Sequence, residues 1–291
     1  MQNGRNTMDW TQLMDRPELL LMILAPVFFF CMLAEYWFGQ RRGRLPESAT
    51  YYFPEVACNF VLAGLHQATD ILTGLLIAQL YLWWFDWRLF DIEMSVSAFL
   101  LLVVLQDFFY YWFHRASHRI RWMWAAHVVH HSSERMNFST AFRQSLMYPL
   151  AGMWIFLVAL GDYWFAKMGC LRCVVSGLTV FFVHTQSIRS LGPLEWVFNT
   201  PSHHRVHHGV NRQYIDKNYA GVLIIWDRMF GTFEPEVETV RYGVSKPVNS
   251  FNPIRVTFAE WKDMFYDVTR PNLSWKQRCR RLFAPPSDFY E

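Results

Sequence analysis

Ten of the eleven histidines in this chain fall in four short stretches, and their spacings are those of metal ligands. His114 and His118 stand four apart, which puts both imidazoles on one helical face, and Asp107 lies two turns earlier on the same face. His127, His130 and His131 combine i, i+3 and i, i+4 spacing; His184 follows alone; His203, His204, His207 and His208 close the series. Imidazole is a borderline donor that suits iron, zinc, copper or nickel, and one such ion takes about four to six donors. Ten candidates are too many for one site, so the count predicts two ions sharing nine or ten histidines. The first choices are His114, His118, His127, His130, His131, His184, His204, His207 and His208, with His203 as the tenth candidate. Asp107 is expected to hold the outer N–H of a ligand imidazole and so fix its tautomer. His66 and Asp70, at i, i+4 inside an apolar run, are expected to satisfy one another and stay outside the site.

The elements that must position these residues are strongly apolar. The chain has 291 residues, 53% apolar and 18% charged, where a soluble protein carries about a quarter charged residues. Residues 19–38 make an apolar run whose helix would reach about 30 Å, the depth of a bilayer's hydrocarbon core. Further runs cover 56–85 and 94–113, separated by an acidic segment, and a pair at 145–166 and 170–188 reads as a hairpin turning near 167–169. Arg41, Arg42 and Arg44 follow the first run while Asp86, Asp91 and Glu93 follow the second. By the positive-inside rule the N-terminus is then outside and every histidine stretch lies on the cytoplasmic face. The segment 222–233 is too short to span and is expected to be buried or interfacial; Lys276, Arg278, Arg280 and Arg281 make a basic tail suited to anionic headgroups. The expected fold is an all-α integral membrane protein with four to five membrane-embedded helices and a cytoplasmic helical cap carrying the di-metal site. It forms one domain over 1–291, with spans in 19–188 and cap and tail in 189–291. A net charge of +3 is too mild to argue for nucleic acid, and Cys170 and Cys173 lack the second pair a structural zinc site needs. Asn137, Ser139, Thr140, Arg143 and Gln144 either orient a headgroup or reductant or form a solvated helix face.

The segments YYWFHRASH at 110–118, HVVHHSSERMNFSTAFRQS at 127–145 and LGPLEWVFNTPSHHRVHHGVNRQYIDKNYAGVLIIWDRMFGTFEPE at 191–236 resemble the fatty acid hydroxylase and sterol desaturase superfamily of membrane enzymes. The resemblance covers about residues 100–260 and implies two iron ions, molecular oxygen and attack on an unactivated C–H bond of a lipid. It is strongest to the members that act on alkylglycerol ether lipids, which implies tetrahydrobiopterin or another external reductant and hydroxylation of the ether carbon. Those members carry an acid directly after the second histidine of the first box, where this chain has Arg119. A desaturase or hydroxylase of fatty acyl, sterol or aminolipid substrates fed by an electron-donor protein is the alternative of the same chemistry. A zinc hydrolase is the alternative from another class, and it would need only about three protein donors and shows no HExxH helix here. Zinc in place of iron in a prepared sample stays open, as does the oligomeric state.

Overall fold

The structure is a computed structural model that describes residues 17–87, 95–152 and 177–289. Most of the expected 145–188 hairpin, with Cys170 and Cys173, and residues 88–94 of the acidic segment lie outside the described residues. Within them the regular structure is helical, with one isolated antiparallel bridge between Phe198 and Leu223. Two helical stretches, Glu47–Leu80 and Val96–Arg119, are long and apolar enough to cross a membrane.

Helix α1 (Pro17–Ala34) runs on into a π-helical turn, Glu35–Gln40, where the expected first span ends. The Glu35 carboxylate is buried there and accepts hydrogen bonds from Tyr51 Oη (2.5 Å), Phe138 N (2.9 Å), Ser187 Oγ (2.9 Å) and Thr185 Oγ1. A buried charge costs several kcal/mol unless its lone pairs are met, and four donors meet these. The result is a knot that ties α1 to residues 138 and 185–187.

Helix α2 (Phe53–Phe85) leaves Ile71, Leu72, Leu75 and Leu76 exposed, a run of apolar surface that a water-facing helix would not carry. Helix α3 (Val96–Arg119) ends at Ile120, a single extended residue (φ −121, ψ 115), and helix α4 (Arg121–His131) begins immediately after it. That sharp reversal folds α4 back on α3 and brings the first two histidine boxes together. The corner is pinned by Arg121, which is buried and paired with Glu260 (2.9 Å) and Asp267 (2.9 Å) of helix α8 (Pro253–Thr269). An apolar cluster of Phe113, Met123, Ala126, Tyr148, Trp261 and Met264 fills the space between α3, α4, α8 and the short helix α5 (Tyr148–Ala151). Helix α6 (Pro201–His207), opened by a proline at its first turn, carries the last box. Helix α7 (Ile225–Phe230) lies within the 222–233 segment and packs Trp226 and Phe230 on Phe108 of α3. Helix α9 (Trp275–Phe283) carries the basic tail.

Candidate metal centre

Nine of the ten candidate histidines converge, and they do so as two groups: His114, His118, His127, His131 and His207 in one, His130, His184, His204 and His208 in the other. All nine side chains are buried. The boxes divide between the groups in a reciprocal way. In the second box the i, i+4 pair His127 and His131 faces the five-histidine group while His130 crosses to the other; in the third box His204 and His208 face the four-histidine group and His207 crosses. Successive faces of one helical turn thus serve two centres.

The outer nitrogens explain what the inner ones can do. His114 Nδ1 meets the Tyr219 carbonyl (2.7 Å), His207 Nδ1 that of Lys217 (3.0 Å) and His130 Nδ1 that of Arg143 (3.0 Å), while His184 Nδ1 meets Val180. A carbonyl only accepts, so each of these Nδ1 atoms carries the proton and each Nε2 is a bare lone pair. The Nε2 atoms nonetheless face one another: His130 to His184 at 3.1 Å, His204 to His184 at 2.9 Å, His114 to His127 at 2.9 Å, His131 to His207 at 3.2 Å. His130 and His184 both present bare nitrogens, which at 3.1 Å repel, and a cation between them turns the repulsion into coordination. The donor set therefore fits two borderline ions in all-imidazole surroundings. Burial pushes His130 down to about 4 and holds His127, His131, His204, His207 and His208 well below the usual imidazole range, so they are neutral at pH 7, as ligands must be.

His203 lies outside both groups, correcting its expected place among the ligands: as the residue before His204 on a helix it points about 100° away, against Phe233. His66 pairs with Asp70 (3.4 Å), as expected, and its ring sits edge-on to Tyr148, whose hydroxyl meets His127 Nδ1 (2.8 Å). Asp107 departs from expectation. It accepts from Val222 N (2.7 Å), Leu223 N (2.8 Å) and Trp226 Nε1 (2.9 Å) and touches no histidine in these bonds. Asp227 likewise takes Tyr219 N and Ala220 N, each at 2.8 Å. The two carboxylates hold the loop whose carbonyls orient His114 and His207, so Asp107 acts one step further out than a direct imidazole partner.

Four of the five residues singled out after the second box do not form a solvated face. Asn137, Ser139, Thr140 and Arg143 are buried. Arg143 donates to the Val129 carbonyl (2.9 Å), Asn59 Oδ1 (3.0 Å) and Ser132 Oγ (2.9 Å), closing the C-terminus of α4, and its own carbonyl orients His130. Arg119 donates to Asp216 Oδ2 at 2.7 Å, and the other oxygen of Asp216 stands 3.9 Å from His118 Nδ1. A carboxylate is present beside His118 after all, supplied from a residue in the left-handed region (φ 61) that sequence reasoning missed.

A cavity of about 560 Å³ opens on the centre. His118, His131 and His207 reach it from the five-histidine group but only His208 from the other, and Trp124, Val128, Ile215 and Val248 supply apolar wall. That volume falls within the range of small-molecule sites.

Residues 99–232 match the fatty acid hydroxylase family profile. The chain is 49% identical over 244 residues to human alkylglycerol monooxygenase, covering 80% of this chain and 52% of that protein. It is 50% identical over 152 residues to the zebrafish (Danio rerio) alkylglycerol monooxygenase, covering 52% of this chain and 34% of that protein. A more distant similarity, 29% over 154 residues, covers 50% of this chain and 45% of an ornithine lipid hydroxylase of Rhizobium tropici. The chain spans about half the length of the human relative. No solved structure matches. All nine members of the two histidine groups lie in residues 99–232, the segment that matches the fatty acid hydroxylase family.

Proposed function

We propose that the protein is an integral-membrane, O₂-dependent di-iron monooxygenase that hydroxylates a membrane lipid at the ether carbon of an alkylglycerol, with reduced pterin as the electron source. The observation that carries this is the pair of all-imidazole groups with bare Nε2 atoms turned inward, beside a cavity that reaches the larger group. Similarity to alkylglycerol monooxygenases supports the substrate and, through the resemblance, the pterin and the irons. We place α2 and α3 in the bilayer, the histidines at its cytoplasmic side, and the whole chain in one domain.

The nine histidines would hold two redox-active ions, and these would supply the oxygen chemistry, in which O₂, two electrons from a reductant and two protons give one oxygen atom to the C–H bond and one water. The chain's own residues do the rest. The carbonyls of Tyr219, Lys217 and Arg143 keep the Nδ1 protons in place, so the inward nitrogens stay available. Trp124, Val128, Ile215 and Val248 give the cavity an apolar wall against which an alkyl chain packs. Hydroxylation of an ether carbon gives a hemiacetal that falls apart to an aldehyde and a glycerol.

The test is turnover of an alkylglycerol under ¹⁸O₂ by the iron-loaded chain, with the aldehyde reduced at once to the alcohol. One labelled oxygen is the expected result. An unlabelled product with a new double bond would make the protein a desaturase, and turnover without O₂ would overturn the reading.

A further inference from the structure

His203 is excluded from the metal groups, yet it is not an ordinary core histidine. Its side chain is nine-tenths or more buried (3% exposed), and its Nδ1 meets no hydrogen-bond partner. A buried polar atom without a partner costs free energy comparable to a lost hydrogen bond unless a ligand supplies one. His203 lines a pocket of about 250 Å³ together with Glu195, Arg228, Glu236, Trp196 and Phe233, apart from the cavity that reaches the metal groups.

The charges of this pocket cancel within it. Arg205 binds Glu236 through two nitrogens, with its shortest contact at 2.6 Å. Arg228 and Glu195 are left as one charge of each sign, and the Arg228 guanidinium carbon stands over Phe233, 3.8 Å from the ring centroid. A site with balanced charge, an unmet imidazole nitrogen, guanidinium donors and carboxylate acceptors favours an uncharged group able both to donate and to accept: a hydroxyl. Its setting names the source. Trp196 (71% exposed) lines the pocket with the Arg228 guanidinium 5.4 Å from its ring centroid, and α7, which carries Arg228, packs on Phe108 of α3, a helix apolar enough to span a bilayer. Exposed tryptophan beside arginine, on an element packed against a span, is the composition of the headgroup layer.

We propose that the His203–Arg228 pocket binds the uncharged, hydroxyl-bearing headgroup of a bilayer lipid, separately from the metal-reaching cavity. The inference rests on the membrane placement of α3 given above but not on turnover. Its test uses the full chain in phosphatidylcholine nanodiscs, offered 1-monooleoylglycerol, oleoylethanolamine or methyl oleate, with retained lipid and bound metal both measured. Wild type should retain monooleoylglycerol about tenfold over methyl oleate, the scale of one buried hydrogen bond made or left unmade. His203→Phe and Arg228→Met should lose that preference while binding as much metal as wild type, and His203→Gln, which keeps an acceptor, should retain it. Retention of the ethanolamide, whose headgroup also ends in a hydroxyl, should likewise exceed that of methyl oleate; equal retention of the hydroxyl lipids and the methyl ester by wild type would overturn the proposal, as would full preference in His203→Phe or loss of metal in that variant. A chain that shows the lipid preference but no oxygenase activity would sink the proposed function and leave this pocket standing.

Discussion

The five-histidine group and the four-histidine group share α4 and α6 but not their surroundings. The larger group is oriented by a loop, through the carbonyls of Lys217 and Tyr219, and that loop is itself held by Asp107 and Asp227; three of its histidines face the cavity. The smaller group is oriented by the carbonyl of Arg143, which follows the second box, and by that of Val180, one turn before His184, and the residues after His184 are tied to Glu35. The difference separates two tasks. The larger group is placed to meet a molecule from outside, and the smaller is enclosed by the helices that build the fold.

The largest effect should come from the crossing histidines. His207→Ala should empty the five-histidine group and leave about one ion per chain, and His130→Ala should do the same to its neighbour; either should bring turnover to background, since coordination is lost while apolar burial is untouched. Metal analysis by plasma mass spectrometry with a lipid assay checks both. Retention of two ions in either variant would break the division into groups.

A smaller, opposed pair of effects should follow from the supporting carboxylates. Asp107→Asn turns an amide toward three N–H donors and should loosen the 217–223 loop, lowering affinity at the five-histidine group by about 10–100-fold while sparing the other. Glu35→Gln should do the reverse, through Thr185 and Ser187 beside His184. Competitive chelator titration, read as two steps, distinguishes the groups, and identical profiles for the two variants would erase the comparison.

The mildest effect is that of pH on the metal-free chain. His130 is held at about 4 in the fold against about 6.5 unfolded, so the unfolded chain takes up a proton first. Stability should therefore be full above about pH 6.5 and fall as pH drops toward about 4, by about 1.4 kcal/mol per unit for each such histidine. Denaturant unfolding between pH 7 and 5 reads this, and a midpoint that does not move would contradict the neutral, buried state.

The sequence made the histidine groups legible because helical spacing alone puts His114 with His118 and His127 with His131. It also placed apolar helices at 56–85 and 94–113, where α2 and α3 stand. It could not show which ion each member of a box serves, since His130 and His131 are neighbours in sequence yet belong to different groups. Asp107 lies on the right face of α3, but its lone pairs are claimed by the backbone of 222–223, which no spacing rule brings there. The carbonyls that fix the tautomers leave no signature at all, because any residue type supplies one. Asp216 was equally hidden: its approach to His118 depends on a left-handed backbone turn 98 positions further along.

The crossing of the boxes also bears on how the chain matures during synthesis. His207 completes one group, and His204 and His208 complete the other, so a nascent chain that has reached only Thr200 holds four donors of five and two donors of four. A single seven-residue helix, α6, then closes both. Loading should behave as one event coupled to the docking of that helix, and a chain stalled just before it would present the quality-control machinery with two half-built, mutually repelling nests of imidazole.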